Sequence, residues 1–381
     1  MYLLRPETCS ERSGEQPGAI VKKMALVKDP VRIAVVGMGI GRPNGAALAS
    51  NPRGNVVALC DLLEDRMEAF AKDLPDKVKF YTDYKKMCKA KDIDAVFVGT
   101  PNQWHVPIAL EAVRNGKHVM VTKPLADSEE AAQELVTEAE AAGVVNMMSL
   151  STRFGDTCQY LGNLARDDYF GELYYARARS VRRNGIPAWN LGFIKQGGGA
   201  FRDMGVHVLD AAWWILGLPK PISVLGAAGA KFGPRGRGYW NRSQPPKETY
   251  EQYEADDYAG GFITFENGLG LQVESFWASH QPDEFQIELF GTEAGATMSP
   301  LQLYRTDESG TSEDISVSLP PGKYEKSWDA IAGHFIECIL DDVTCEAPLR
   351  HGLIVQQMME GLLKSAETGH EVQIEAAEGV L

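Results

Sequence analysis

Short apolar runs alternate with amphipathic segments over residues 31–148, and this alternation constrains the fold more than any other feature of the chain. The runs are Val31–Val36, Val56–Cys60, Ala95–Val98, His118–Val121 and Val144–Met148. The amphipathic segments between them are Pro43–Ser50, Leu63–Lys72, Pro107–Asn115 and Ser128–Ala142. Buried parallel strands are continuously apolar, and strands that alternate with helices form a doubly wound sheet. The sequence therefore predicts an α/β domain over residues 30–150.

A glycine-rich turn follows the first predicted strand and contains Gly37, Gly39, Ile40 and Gly41. Glycines at this place allow a tight turn and let a pyrophosphate approach the backbone at a helix N-terminus. The usual spacing is GxGxxG, whereas here the third glycine comes one residue early and Arg42 occupies its place. The strand before the turn and the helical segment after it support a dinucleotide site.

Asp61 ends the second predicted strand, about 20 residues beyond the glycines. A carboxylate there accepts hydrogen bonds from ribose hydroxyls and repels a 2′-phosphate, so we expect NAD rather than NADP as cofactor. Arg42 and Arg66 are the two nearby cations that could instead reach a phosphate.

Two further turns follow predicted strands and should lie beside the cofactor, because ligands bind at the carboxyl ends of strands in open α/β sheets. The first turn contains Thr100, Pro101 and Asn102, and the second contains Lys123 followed by Pro124. A partly desolvated lysine at such a place has a lowered pKa and can act on a substrate.

The segment Gly197–Asp210 places Asp203, His207 and Asp210 four and three residues apart. On a continuous α-helix this spacing puts the three side chains, together with Trp214, on one face. Burying two carboxylates and an imidazole is costly unless they are hydrogen-bonded. The spacing alone allows either a structural histidine held by aspartate or an acid–base set that lines a cavity.

Composition excludes several classes of function. The net charge of −14 argues against nucleic acid or an anionic membrane surface as the main partner, and no run approaches the length of a membrane span. The six cysteines are scattered and form no CxxC pair. We recognise no histidine near them at the spacing of a zinc site, so we predict no metal. We expect a reduced, cytoplasmic protein, and residues 1–29 are predicted to be a disordered extension.

Taken together, these motifs resemble those of the Gfo/Idh/MocA oxidoreductases, the family of glucose-fructose oxidoreductase and inositol dehydrogenase. The matching pieces are Gly37–Gly41, Asp61, Thr100–Asn102 with His105, Gly116–Val119, Thr122–Pro124, Gly197–Asp210 and Ser365–Gly369. The resemblance implies a Rossmann domain followed by a C-terminal α+β domain with a large, mostly antiparallel sheet. It also implies a homodimer or homotetramer. We assign the second domain, for substrate binding and oligomerisation, to residues 151–381.

Strand-like runs in the second half agree independently with such a sheet. They are Tyr174–Ser180, Ile222–Ala228, Gly261–Phe265, Leu269–Phe276, Phe285–Phe290 and Leu301–Tyr304. Glu266-Asn267-Gly268 between two of them predicts a hairpin. Two long amphipathic helices are expected near Ser327–Leu340 and His351–Ser365.

The resemblance also implies roles for individual residues. Lys123, Asp203 and His207 would form the catalytic set, in which His207 takes the hydroxyl proton and Lys123 stabilises the developing alkoxide. The chain departs from the family at Thr122, where a glutamate is usual, which bears on the geometry of that loop. The residues implied to bind NAD are Gly37, Gly39, Ile40, Gly41, Asp61, Thr100, Pro101, Asn102, His105 and Lys123.

Further polar and aromatic residues suggest a carbohydrate substrate, since stacking suits a sugar ring and amide or guanidinium donors suit its hydroxyls. We predict that Arg153 and Trp189 bind substrate together with the catalytic set, and Trp277 and His280 are further candidates. The leading hypothesis is an NAD-dependent oxidoreductase acting on a secondary hydroxyl or ketone of a sugar, polyol or sugar derivative. The alternatives are a redox-neutral, NAD-dependent enzyme that cleaves glycosides, and a non-enzymatic NAD-binding sensor.

Overall fold

The computed structural model describes residues 29–187, 189–240, 244–324 and 326–375. The extension predicted over residues 1–29 lies outside the described residues apart from Asp29. Among the described residues, no helix has both the length and the apolar character needed to cross a membrane.

The first half forms a six-stranded parallel sheet flanked by helices, in the strand order β3-β2-β1-β4-β5-β6. Its strands are β1 (Val31–Val36), β2 (Gly54–Cys60), β3 (Lys79–Tyr81), β4 (Ala95–Val98), β5 (His118–Val121) and β6 (Asn146–Met148). Its helices are α1 (Gly41–Ser50), α2 (Glu64–Ala71), α3 (Tyr84–Cys88), α4 (His105–Arg114) and α5 (Glu129–Ala142). The strand order reverses between β1 and β4, where the carboxyl ends open a crevice for a ligand.

The predicted α/β architecture is confirmed, and the helix predicted over Ser128–Ala142 begins with a capping hydrogen bond. The Ser128 side chain accepts a hydrogen bond from the Ala131 N–H at 3.2 Å, while Glu129 and Glu130 occupy the first turn of α5. The sequence analysis missed β3 and α3. Both are short, and β3 is largely exposed, so neither shows an apolar run long enough to be recognised.

The second half contains a nine-stranded sheet in the order β14-β13-β12-β11-β7-β10-β9-β8-β15. Its strands are β7 (Leu173–Val181), β8 (Pro221–Gly229), β9 (Tyr258–Phe265), β10 (Gly270–Phe276), β11 (Glu284–Gly291), β12 (Gly295–Thr297), β13 (Gln302–Thr306), β14 (Ser312–Ser316) and β15 (Val372–Gln373). The helices of this half are α6 (Asp156–Arg166), α7 (Val206–Ile215), α8 (Lys247–Tyr250), α9 (Ser327–Leu340) and α10 (Leu349–Thr368).

The predicted mostly antiparallel sheet is confirmed, with one exception at its centre, where β7 and β10 run parallel. The hairpin predicted at Glu266-Asn267-Gly268 joins β9 to β10, and Gly268 has a φ of +80°. That left-handed conformation is open to glycine at little cost, so the turn residue and the strand register agree.

The helix that carries the acidic and histidine residues differs from the continuous α-helix we predicted. Residues Phe201–Gly205 form a π-helical turn, and α7 begins only at Val206. The wider turn changes the angle between successive side chains, so the carboxylates of Asp203 and Asp210 do not share one environment. Asp203 is partly exposed, whereas Asp210 is completely buried.

Asp210 forms a buried ion pair with Arg153, which lies in a short 3₁₀ helix, Ser151–Phe154, after β6. The Arg153 guanidinium donates to both Asp210 carboxylate oxygens at 2.5 and 2.8 Å, and also to the Glu346 carbonyl oxygen at 2.6 Å. Its Nη1 also lies 3.0 Å from Nδ1 of His351. The Arg153 side chain is 0% exposed, so our prediction that it binds substrate is wrong. The Arg153 side chain instead connects three segments of the chain, namely its own 3₁₀ helix, helix α7 and the region where α10 begins.

Replacing Arg153 with methionine should lower the free energy of unfolding by about 3–5 kcal/mol, because the carboxylate of Asp210 would remain buried without its partner. Urea unfolding of Arg153→Met measures this loss. The double variant Arg153→Met/Asp210→Leu removes both charges and should lose markedly less. Equal losses in the single and double variants would contradict the role of an uncompensated charge.

Candidate active site

Three turns at the carboxyl ends of β1, β4 and β5 meet at the crevice of the first sheet. Hydrogen bonds hold them in register: Gly99 N–H donates to the Val36 carbonyl at 2.8 Å, and Thr122 N–H donates to the Val98 carbonyl at 3.0 Å. The segments predicted to bind cofactor are therefore brought together, as parallel strands require.

The glycine-rich turn is shaped by close backbone contacts. Gly37 has a φ of +86°, and a Cβ there would lie 2.5 Å from the Gly99 carbonyl oxygen. A Cβ at Gly39, by contrast, would meet no atom within 4 Å. Gly37 is thus required by the packing of two turns, and Gly39 faces open space at the start of α1.

Asp61 lies where the sequence placed it, and it also organises the glycine turn. Its Oδ2 accepts the Met38 N–H at 2.7 Å, and its Oδ1 accepts the Leu63 N–H at 3.0 Å. A carboxylate oxygen can accept more than one hydrogen bond, so both oxygens retain capacity toward a ribose hydroxyl. Arg42 contacts Asp73 at 3.2 Å between exposed side chains, so the Asp73 carboxylate competes for any 2′-phosphate contact.

The residues of this crevice fit a dinucleotide. The space over Gly39 adjoins the N-terminus of α1, which favours a pyrophosphate. The Thr100 hydroxyl is buried and has no hydrogen-bond partner within the part of the chain that the structure describes. Ile40 is 40% exposed, and Pro101 and Asn102 line the rim of the next turn. These open groups would hold the cofactor.

His105 does not have the cofactor contact that we predicted. It is 0% exposed, and its two ring nitrogens lie 2.8 Å from the Pro124 carbonyl oxygen and 2.7 Å from that of Thr100. Burial is the main influence on the pKa of His105 and lowers it. By contacting both carbonyl oxygens, this imidazole holds together the turns after β4 and β5. It therefore positions Lys123 rather than touching a ligand.

Lys123 and Asp203 form an ion pair between the two halves of the chain. Lys123 Nζ lies 2.8 Å from Asp203 Oδ1 and 2.6 Å from the Asp203 carbonyl oxygen. The second carboxylate oxygen, Oδ2, accepts the indole N–H of Trp277 at 3.1 Å. Burial by itself would raise the pKa of Asp203, but the charge and hydrogen bond of Lys123 outweigh it and lower the pKa.

Trp277 has a role that the sequence analysis missed. It is 0% exposed, so it cannot stack on a substrate as we suggested, and it fixes the Asp203 carboxylate instead. The only sequence signal for this role was the position of Trp277 directly after β10. That position does not distinguish a tryptophan that donates a hydrogen bond from one that packs in the core.

His207 lies one turn beyond Asp203 and lines a cleft of about 760 Å³. Its Nδ1 is 3.3 Å from the Thr152 hydroxyl oxygen. Burial, and next the positive charge of Lys123, lower the pKa of His207 to about 3, while Asp203 acts in the opposite direction. The imidazole is therefore neutral at physiological pH, which leaves one of its ring nitrogens unprotonated.

The rest of the cleft combines polar and apolar side chains. Its charged and amide groups come from Arg182, Arg183, Asn184, Asp283 and Glu284, and its apolar surface comes from Val181, Met204, Trp240 and Phe285. Arg182 lies over the Trp240 ring at 4.8 Å.

Trp189, which we predicted to bind substrate, lies next to Trp240 in an edge-to-face contact with 6.2 Å between ring centroids. It is 68% exposed and lies outside the set of residues that line the cleft.

Comparison with known proteins agrees with this geometry. Residues 31–150 match the profile of an oxidoreductase family with an NAD-binding Rossmann fold. Residues 158–297 match a GFO/IDH/MocA C-terminal domain.

Three curated relatives show the range of chemistry among similar chains. D-glucoside 3-dehydrogenase of Escherichia coli is 30% identical over 361 residues, covering 92% of this chain and 100% of the relative. The scyllo-inositol 2-dehydrogenase (NAD(+)) of Bacillus subtilis is 26% identical, covering 82% and 87%. A glycosyl hydrolase family 109 protein of a Shewanella species is 30% identical over 173 residues, covering 43% and 37%.

Among solved structures, levoglucosan dehydrogenase in complex with NADH and levoglucosan has the same fold. The TM-score is 0.77 at 18% identity, and the match covers 91% of this chain and 99% of the other.

Asp61→Ala should weaken NAD binding by roughly tenfold, the equivalent of one charge-assisted hydrogen bond, and should weaken NADP binding less. Calorimetric titration of both cofactors measures the ratio of the two dissociation constants. Asp65→Ala, an exposed carboxylate four residues further on, is the control for net charge. An unchanged preference for NAD in Asp61→Ala would place ribose recognition elsewhere.

Lys123→Met should raise the pKa of His207, because it removes a positive charge that disfavours the imidazolium. Titration of the His207 ring by NMR in the free protein gives the direction of the change. Lys195→Met, which removes a lysine paired with Glu254, should leave the titration unchanged. A His207 pKa near 6.5 in the parent protein, or no rise in Lys123→Met, would refute the electrostatic coupling.

Proposed function

The chain belongs to the Gfo/Idh/MocA family of NAD-binding oxidoreductases, and from that premise we propose that it is a carbohydrate dehydrogenase. Enzymes of this class act on CH–OH groups. The proposed reaction transfers hydride between the nicotinamide and a secondary hydroxyl or ketone of a sugar, polyol or sugar derivative. The observation that carries the proposal is a lysine–aspartate pair beside a neutral histidine that lines the cleft.

NAD supplies the hydride acceptor for oxidation, and the residues of this chain handle the proton. The Thr152 hydroxyl faces Nδ1 of His207. In the tautomer in which Nδ1–H donates to this hydroxyl, Nε2 is unprotonated and takes the proton of the substrate hydroxyl. In the reverse direction the same nitrogen returns that proton to the oxygen.

Lys123 stabilises negative charge on the same oxygen. Two of its three N–H groups are held by Asp203, one by the carboxylate and one by the carbonyl. The third N–H is left for the substrate oxygen, and a fixed ammonium in a partly dry site stabilises a developing alkoxide. Asp203 and Trp277 hold the ammonium in place, so no reorganisation is needed when charge develops.

The size and chemistry of the cleft support a polyhydroxylated substrate. A volume of about 760 Å³ is large enough for a sugar with a substituent. Guanidinium, amide and carboxylate groups around it offer both donors and acceptors for hydroxyls, and Trp240 offers a surface for the apolar face of a ring. The E. coli D-glucoside dehydrogenase and the B. subtilis scyllo-inositol dehydrogenase support the same substrate class.

A second candidate is a redox-neutral reaction in which a glycoside is oxidised transiently, its glycosidic bond breaks and the hydride returns. The relative described as a glycosyl hydrolase favours it, although that match covers only 43% of the chain. A non-enzymatic sensor has less support, because the acid–base residues Lys123, Asp203 and His207 are all present and in contact or electrostatically coupled.

His207→Asn should lower turnover by roughly 10²–10⁴-fold, the usual effect of losing a positioned base, and leave NAD binding within a few-fold. Absorbance of the reduced nicotinamide, followed over a panel of sugars, glycosides, polyols and sugar acids, identifies the substrate class. His370→Asn, an exposed histidine near the end of α10, is the control. Activity that survives in His207→Asn would remove this residue from the mechanism.

A parent protein that binds NAD tightly but leaves the nicotinamide absorbance unchanged over the whole panel would contradict the dehydrogenase proposal. Cleavage of a chromogenic glycoside in the same samples would then support the redox-neutral candidate.

A further inference from the structure

Three metal-ligating side chains lie together away from the active site, between α9 and the loop that leads to α10. They are His334, Cys338 and Cys345, and their ligand atoms all lie within 4.8 Å of one another. His334 and Cys338 are one turn apart on α9, and both are buried, at 8% and 4% exposure. Cys345 is partly buried and follows seven residues later.

The geometry points to a site for a divalent transition cation of the zinc type, held by the Cys338 and Cys345 sulfurs and the His334 imidazole. The site is independent of the proposed function. It also revises the sequence analysis, which predicted no metal and overlooked the H-x₃-C spacing of His334 and Cys338. Residues four apart lie on the same face of a helix, so that spacing brings two ligands to one side.

The distances within the cluster suit tetrahedral coordination. His334 Nε2 lies 3.5 Å from Cys338 Sγ. With bonds of about 2.3 Å to sulfur and 2.0–2.1 Å to nitrogen, tetrahedral angles require roughly 3.5 Å between a nitrogen and a sulfur ligand. The Cys345 sulfur lies within 4.8 Å of the other two ligand atoms, so coordination would draw it closer, and water would fill the fourth position.

The chemistry of the donors favours the same class of cation. Thiolate and imidazole ligands select zinc and its neighbours over magnesium or calcium, which prefer oxygen. Binding of the cation releases the thiol protons of Cys338 and Cys345 to solvent.

The current partners of the cluster show what the cation would displace. The Glu346 N–H donates to His334 Nε2 at 2.9 Å, and Cys345 Sγ lies 3.6 Å from the Asn146 carbonyl oxygen. Coordination at Nε2 replaces the bond from Glu346. A disulfide between the two cysteines is the competing use of this cluster, but it would leave the imidazole with no part in the chemistry, whereas a cation uses all three groups.

The site lies at a structurally important junction. Asn146 belongs to β6 of the first sheet, and the Glu346 carbonyl accepts a hydrogen bond from Arg153. A cation here ties the end of α9 to the loop before α10, close to the ion pair that holds α7. Because it binds the folded chain, it should raise the midpoint of thermal unfolding.

Cobalt(II) titration of the reduced, chelator-treated full chain tests the site directly. We expect a near-ultraviolet sulfur-to-cobalt charge-transfer band that saturates at one equivalent per chain and disappears when zinc displaces cobalt. Cys338→Ser, Cys345→Ser and His334→Gln should each weaken cobalt binding by at least about tenfold. Cys158→Ser, which changes a buried cysteine on α6, should bind cobalt as the parent does.

A second measurement needs no variant and so does not depend on whether the variants fold. In the parent protein, zinc should protect Cys338 and Cys345 from alkylation, as identified by mass spectrometry of the peptides, and leave the alkylation of Cys158 unchanged. The proposal is overturned if cobalt gives no thiolate band at one equivalent, or if zinc protects neither cysteine. A Cys338–Cys345 disulfide that forms in air in the presence of excess zinc would also overturn it.

Discussion

The completely buried ion pair between Arg153 and Asp210 is the interaction on which the arrangement of the molecule depends. Moving two charges out of water is costly, and the cost is offset only when geometry and additional hydrogen bonds are good. Burial is the largest influence on the pKa of Asp210 and raises it, while Arg153 opposes that change. The guanidinium also donates to the Glu346 carbonyl, so few of its donors are left unused.

That pair fixes α7 against the junction of the two sheets, and α7 determines where the reacting groups lie. Asp210 is one turn beyond His207, so an anchored Asp210 sets the rotation of the helix about its axis. The π-helical turn before α7 then directs Asp203 toward Lys123. A single segment therefore carries both the residue that anchors the helix, Asp210, and the residues proposed to react, Asp203 and His207. Burial of Asp210 at one end of the segment constrains the position of the reacting groups at the other end.

The proposed chemistry is divided between the two halves of the chain. Lys123 comes from the turn after β5, while Asp203 and His207 come from the segment that packs on the second sheet. The positive charge of Lys123 lowers the pKa of both partners, which keeps the carboxylate ionised and the imidazole neutral. His105 contacts the Pro124 carbonyl oxygen next to Lys123, Trp277 donates to the Asp203 carboxylate, and neither side chain lines the cleft. Neither half can assemble this electrostatic environment alone.

The local sequence pattern was sufficient to predict the main strands and helices and the residues at the ends of strands. Continuous apolar runs predicted β1, β2, β4, β5 and β6, and alternation and turn residues predicted the central strands of the second sheet. The analysis missed β3, β12, β14 and β15, because these strands are short or, like β14, mostly exposed, and so show no apolar run. The glycine turn and Lys123 were identifiable because they follow strands, and the carboxyl ends of parallel strands converge on one crevice.

What the sequence by itself determined is the order of the main strands and helices and the convergence of the turns after β1, β4 and β5 on one crevice. Only the tertiary structure decided which polar residues face the cleft. Arg153, His105 and Trp277 look like ligand contacts in the sequence, yet each is buried and fully engaged with backbone or carboxylate groups. Their partners lie between 5 and 198 residues away along the chain. A buried polar group is satisfied by whatever the fold brings beside it, and that neighbour is not encoded in local pattern.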